Sequence, residues 1–191
     1  MVDKISYAKT VYGEDEISAV VQCLRDSTQM GERSRKFESL IAQLFCKKEC
    51  LYVNSGSSAL QIGVEAFNFP VDGEIITPAL TFGTTLSCII KNGLIPAFVD
   101  VEPLTYCIDA SKIENMINEK TVGILAPDLL GNICDWPAIR QIANKYNLKV
   151  LHDSADTLGA ELAGNSVGIY SDMSITSFYG SHIINCAGNG G

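Results

Sequence analysis

The sequence predicts an α/β protein of three layers, α/β/α, built on a mostly parallel sheet. Three observations carry that expectation. From Cys50 onward, short apolar runs bounded by turn residues alternate with stretches of helical period. Strands that succeed one another through helices pair in parallel, because a parallel neighbour is reached by a crossover. The runs are continuously apolar, as strands covered by helices on both faces must be.

Each element has its own signal. Ile17, Val20, Val21 and Leu24 recur at helical spacing, Gly31 breaks the chain, and Phe37, Leu40, Ile41, Leu44 and Phe45 resume the period. Cys50-Leu51-Tyr52-Val53 reads as a buried strand that runs through Asn54-Ser55-Gly56-Ser57-Ser58 into a helix carrying Leu60, Ile62, Val64 and Phe67. Pro70-Val71-Asp72-Gly73 is a turn, and Glu74-Ile75-Ile76-Thr77 the next strand. A helix over Thr81–Lys91 stops at Asn92-Gly93, residue types that end helices. Strands follow over Ile95–Val101 and Val122–Ala126, separated by a helix that Asp109 caps and that runs through Ile113, Met116 and Ile117. Asp135 caps a further helix through Ile139, Ile142 and Tyr146, with Pro137 near its first position. Leu148–His152 and Met173–Phe178 complete the strands. The expected division is a helical segment over about 1–48 and an α/β portion over about 49–191, with no linker, repeat or low-complexity stretch between them. The end, Gly188-Asn189-Gly190-Gly191, carries no closing helix or polar tail and reads as a truncation.

Composition narrows the function classes. A hydrophobic content of 47% with 19% charged residues describes a well-cored chain rather than a disordered one. The net charge of −8, with no basic cluster beyond Arg33-Ser34-Arg35-Lys36, argues against nucleic acid as a partner. No apolar run approaches the ~18–20 residues of a membrane span. Met1 to Thr10 is mixed and polar, without a signal-peptide pattern, so the expected location is cytoplasmic. The seven cysteines are scattered, and the Cys46/Cys50 pair has neither a second half nor a neighbouring histidine. Buried reduced thiols, and no metal site, are expected.

Three constellations fall where strands end, the position at which open α/β sheets bind ligands. The turn Asn54-Ser55-Gly56-Ser57-Ser58 feeds a helix N-terminus, whose free N–H groups and dipole suit an anion, with serine hydroxyls adding donors. It also reads as a plain helix cap. His152-Asp153-Ser154-Ala155-Asp156 places a carboxylate just beyond a strand, suited either to capping the next turn or to pairing with a cationic ring nitrogen. Ser177-Phe178-Tyr179-Gly180-Ser181-His182 leaves the last strand and carries a potential acid–base group. Between Val150 and Gly191 there is neither lysine nor arginine.

The order and spacing of these pieces resemble the DegT/DnrJ/EryC1/StrS sugar aminotransferase family, of aspartate-aminotransferase-like fold type I. The resemblance runs from about Val11 to Gly191. It includes Met30-Gly31, Ser55-Gly56-Ser57, Pro78-Ala79-Leu80-Thr81-Phe82, Leu129-Leu130-Gly131-Asn132, His152 through Ala160, Ser177-Phe178 and Gly190-Gly191. It implies the cofactor-binding large domain of such an enzyme, with the small C-terminal domain absent. Carried over position by position, Gly56, Ser57, Ser58 and Ser177 would hold the phosphate of pyridoxal or pyridoxamine 5'-phosphate. Phe82 would stack on its ring, Asp153 pair with the ring nitrogen, and Asp156 lie near the phenolic oxygen, where many members have Gln. His152 replaces a frequent glutamate and takes a structural place beside Asp153.

His182 stands where the aminotransferases of this family carry the lysine that binds the cofactor covalently. Histidine cannot form that bond, yet its side chain ordinarily titrates near ~6.5, which suits general acid–base work. The resemblance is then to the subgroup of nucleotide-sugar 3-dehydratases with His at this position. It implies a non-covalently held cofactor, a nucleotide-linked 4-keto-6-deoxy sugar as substrate and a homodimer. Members carrying a 2Fe–2S cluster place a cysteine after the aspartate matched by Asp153. Here that segment is Ser154-Ala155, which favours the cluster-free type. Two alternatives stay open from the sequence: an aminotransferase with a displaced lysine, and a non-catalytic protein that keeps the fold.

Overall fold

A computed structural model describes residues 11–187 and 189–191; the expectations for Met1–Thr10 and for Gly188 lie outside the described residues. The helices α1 (Glu14–Asp26), α2 (Glu32–Leu44) and α3 (Gly56–Ala66) come first. Then β1 (Glu74–Pro78), α4 (Gly83–Lys91), β2 (Ile95–Val99) and the short α5 (Ala110–Ile113) follow. The chain continues through β3 (Thr121–Pro127), α6 (Trp136–Tyr146) and β4 (Lys149–Asp153). A two-residue hairpin, β5 (Glu161–Leu162) and β6 (Asn165–Ser166), precedes β7 (Met173–Ile175).

The five long strands form one parallel sheet in the order β2-β1-β3-β4-β7. Consecutive residues on a strand face opposite sides, and the core divides accordingly. Ile76, Ile124 and Val150 pack with Ile113, Trp136, Ile139 and Ala143 of α5 and α6. Their neighbours Ile75, Leu125 and Leu151 pack with Leu60, Val64, Cys88 and Ile89 of α3 and α4. The three-layer α/β/α expectation is therefore met. No described helix is long and apolar enough to cross a membrane.

The helix signals work as expected locally. Asp135 accepts the N–H of Ala138, Pro137 sits in the first turn, and Asn147 closes α6 in the left-handed region. Asp109 accepts the N–H of Ser111, although the helix it caps soon tightens into a 3-10 turn over Glu114–Met116.

One expected strand is corrected. Cys50–Val53 forms no strand of the sheet, and Leu51 is 73% exposed. Its regular pairing is a reciprocal one, with Val53 and Gly191 exchanging both backbone hydrogen bonds at 2.8 and 3.0 Å. Met173–Phe178 is likewise shorter than expected, because after Ile175 the backbone turns to build the site. The apolar stripe of α1 is not buried: Ile17, Val20 and Leu24 are each about half exposed or more.

Candidate active site

The strand order reverses at β1: the chain passes outward to β2, then returns across β1 to β3. Crevices beyond the carboxyl ends of such strands are the ligand sites of open α/β folds. All the candidate residues lie at those ends or at the helix starts that face them.

The turn Asn54-Ser55-Gly56-Ser57-Ser58 leads into the N-terminus of α3, as expected. Ser55 caps α3 by accepting the N–H of Ser58 at 3.1 Å, and its hydroxyl proton goes to the Ser58 oxygen, also at 3.1 Å. A helix leaves its first N–H groups without intrahelical partners, here those of Gly56 and Ser57. Ser57 is exposed, while Gly56 is buried against Ser177. A Cβ on Gly56 would come within 2.7 Å of the Ser177 Cβ, so only glycine lets the last strand's exit close on the helix start. Gly56, Ser57, Ser58 and Ser177 are thus brought to one place from two elements distant in sequence.

Asp153 ends β4 in register with Ile175, two residues before Ser177. One carboxylate oxygen accepts the Thr85 hydroxyl at 3.1 Å, and the other the Ala155 N–H at 3.2 Å. Burial pushes its carboxyl above the ordinary carboxylate range, against the pull of those two donors. Among the described residues no lysine or arginine pairs with this carboxylate, and a cationic partner would offset the cost of its burial. Thr85 lies one turn after Phe82, which starts α4 with its ring 70% exposed and free to cover a flat ligand.

His182 and Asp156 form the third side. The His182 Nε2 stands 3.7 Å from one Asp156 oxygen, while the other accepts the Leu130 N–H at 3.0 Å. The ring rests edge-on against Tyr179, and its backbone N–H bonds the Tyr179 carbonyl at 3.0 Å. Its Nδ1 is buried with no hydrogen-bond partner among the described residues, as is the Nδ1 of His152.

Two functional neighbours were not anticipated. Thr85 carried a faint signal, a hydroxyl in the first turn after an aromatic residue. Asp128, directly after β3, carried a better one as an acid at a strand end. Its carboxylate accepts from the Cys134 N–H at 2.8 Å, Trp136 Nε1 at 2.9 Å, His152 Nε2 at 2.8 Å and the Thr157 hydroxyl at 3.2 Å. This fixes His152, and with it the strand end that carries Asp153. An apolar cavity of about 290 Å³ lies elsewhere, between α2 and β7, lined by Phe37, Ile41, Phe45, Tyr52, Ile62 and Phe178. It contains none of the candidate residues.

Among the described residues, a helix start with free N–H groups beside serine hydroxyls, a buried carboxylate without a Lys or Arg partner and an exposed aromatic ring are groups that a phosphorylated pyridine would fit. Comparison with known proteins agrees with that chemistry. Residues 11–191 match the model of the DegT/DnrJ/EryC1/StrS aminotransferase family. The chain is 37% identical over 190 residues to the lipopolysaccharide biosynthesis protein RfbH of Salmonella typhimurium, covering 95% of this chain and 43% of that protein. Its fold matches Helicobacter pylori PseC, an aminotransferase involved in the biosynthesis of pseudoaminic acid. The TM-score is 0.92 at 29% identity, covering 98% of this chain and 51% of that one. It also matches an E. coli GDP-4-keto-6-deoxy-D-mannose-3-dehydratase with bound hydrated PLP, at TM-score 0.88 and 26% identity, covering 98% and 50%. The chain spans about half the length of the curated relatives it matches. With the family model matched along all of its described α/β sheet, the chain belongs to the DegT/DnrJ/EryC1/StrS aminotransferase family.

Proposed function

We propose that this chain is the cofactor-binding portion of a nucleotide-sugar 3-dehydratase that uses pyridoxal or pyridoxamine 5'-phosphate without a covalent link. The observation that carries the reading is His182: it ends the turn leaving β7, faces Asp156 at 3.7 Å, and keeps an unpartnered Nδ1. No lysine or arginine lies between Val150 and Gly191 to take its place. When bound, the cofactor supplies an electron sink for the bond broken beside its amine.

Each protein group then has a task. Gly56 and Ser57 offer N–H groups to the phosphate at the start of α3, with Ser58 and Ser177 adding hydroxyls. Asp153 would accept a hydrogen bond from a protonated ring nitrogen, whose positive charge would relieve the cost of the carboxylate's burial. Thr85 keeps that carboxylate oriented, and Phe82 shields the ring from water. Asp156 draws the Nε2 side of the imidazole, leaving Nδ1 to take a proton and return one as the 3-hydroxyl departs. The substrate class is a nucleotide-linked 4-keto-6-deoxy sugar, of the kind consumed in deoxysugar and surface-polysaccharide synthesis. The acting unit is a cytoplasmic homodimer.

The test is product analysis. The protein supplied with pyridoxamine phosphate and a 4-keto-6-deoxy nucleotide sugar should release a product that has lost the 3-hydroxyl, and His182→Ala should lose that activity. An amino sugar as product would show an aminotransferase instead. A tightly bound cofactor with the sugar unchanged would show a non-catalytic protein.

A further inference from the structure

Thr85 is fully buried in the first turn of α4, and its hydroxyl reaches Asp153 Oδ2 at 3.1 Å across 68 residues of sequence. A threonine in a helix has a local alternative, since its hydroxyl can donate to a carbonyl one turn back. Here the Phe82 carbonyl accepts the Thr85 N–H at 3.0 Å, while the hydroxyl goes to the carboxylate. The helix start thereby ties two site groups together: Phe82, whose exposed ring precedes α4, and Asp153, which ends β4.

Two aspartates at neighbouring strand ends show what this bond does. Asp128 accepts four hydrogen bonds, two on each oxygen, as many as a carboxylate has lone pairs. Asp153 accepts one on each oxygen among the described residues, from Thr85 and from the Ala155 N–H at 3.2 Å. Those two donors fix the plane of the carboxylate and leave about one lone pair open on each oxygen. Burial still holds the carboxyl above its ordinary range, so the Ala155 N–H and the Thr85 hydroxyl offset only part of the cost of ionising it. A donor that carries a positive charge completes such a group, whereas a C–H edge offers it nothing.

We propose that Thr85 is a positioning residue that makes the site selective for a protonated pyridine ring over a carbocyclic ring of the same shape. Through the Thr85 hydroxyl, the first turn of α4 sets the Asp153 carboxylate for the nitrogen edge; through Phe82, the same helix start covers the ring face. The inference rests on the cofactor reading above, and is independent of whether the reaction is dehydration or amino transfer. It needs no bond to form or break: the proton stays on the ring nitrogen, and the carboxylate accepts a hydrogen bond from it.

The test is equilibrium dialysis of the full chain against pyridoxamine phosphate and against its carbon analogue, in which C–H replaces the ring nitrogen. The parent should bind the pyridine at least roughly tenfold more tightly, as one charge-assisted hydrogen bond predicts. Thr85→Val keeps the shape without the donor, and should cut that preference to about twofold while leaving affinity for the analogue unchanged. Thr85→Ser should restore the preference. In an Asp153→Asn background, Thr85→Val should have no further effect on it, because the group it positions is gone. Should Thr85→Val fail to fold, NMR of the parent decides: the buried Thr85 hydroxyl proton should shift with pyridoxamine phosphate and stay in place with the analogue. An equal loss for both ligands, an undiminished preference in Thr85→Val, or a hydroxyl signal that responds alike to both ligands would overturn the proposal. A parent that binds both ligands equally well would sink the inference while cofactor binding stands. A parent that binds neither would sink the cofactor reading itself, and the inference with it.

Discussion

The chain has two histidines, each facing an aspartate, and the two pairs are built for opposite ends. His152 and Asp128 are fully buried at 2.8 Å, and the carboxylate is saturated by four donors. The imidazole is clamped edge-on between Trp136 and Phe45. His182 and Asp156 are 21% and 32% exposed at 3.7 Å, with Asp156 held by one backbone N–H; the Nδ1 atoms of both histidines lack a hydrogen-bond partner among the described residues, so the pairs differ in burial and closeness. A buried pair whose carboxylate is saturated resists rearrangement, whereas a looser, partly exposed pair is freer to exchange a proton. The first pair holds the scaffold beneath Asp153, and the second is the one proposed to move protons.

Asp128→Ala should have the largest effect. It orphans the Cys134 N–H, Trp136 Nε1, His152 Nε2 and the Thr157 hydroxyl in the core, at a cost of about 3–5 kcal/mol in denaturant unfolding. A loss below about 1 kcal/mol would erase the distinction between the two pairs. Gly56→Ala comes next, since its Cβ would press on Ser177 at 2.7 Å. Overpacking there should cost about 1–3 kcal/mol, and equilibrium dialysis should show weaker pyridoxal phosphate binding.

Asp153→Asn should move stability the other way. The folded protein raises the Asp153 carboxyl above its ordinary range, so its favourable contribution exists at low pH and is lost as pH rises through the folded value. At neutral pH the ionised group is a cost, and Asn should stabilise the ligand-free protein by about 1 kcal/mol. The gain should vanish below about pH 4, where Asp is protonated in both states. The same substitution should weaken cofactor binding, and a variant that binds equally well would remove Asp153 from the site. Asp156→Asn should be the mildest, changing unfolding free energy by about 0.5 kcal/mol or less because the pair is partly exposed and 3.7 Å apart.

The parts of the fold that depend on local chemistry could be read directly from the residues. Asp135 with Pro137 marked the start of α6, Asn92-Gly93 the end of α4, and the apolar runs the five sheet strands. Cys50–Val53 misled because an apolar run records the tendency to be extended but not whether a lateral neighbour exists. The α1 stripe misled for the same reason, since helical period does not say what covers the face. At the site, Gly56, Ser177, Asp153 and His182 stood out as unusual residue types at strand ends. Thr85 and Asp128 did not, because their importance lies in whom they touch 68 and 24 residues away.

The central claim is that residue 182 works as an acid–base group at a cofactor that no lysine holds. Borohydride reduction of the protein saturated with pyridoxal phosphate, followed by peptide mapping, tests it most directly. The parent chain should carry no pyridoxyl group on any residue and should release its cofactor on gel filtration, whereas His182→Lys should be labelled at residue 182. A pyridoxyl-lysine in the parent, or no label in the His182→Lys variant despite bound cofactor, would contradict the account.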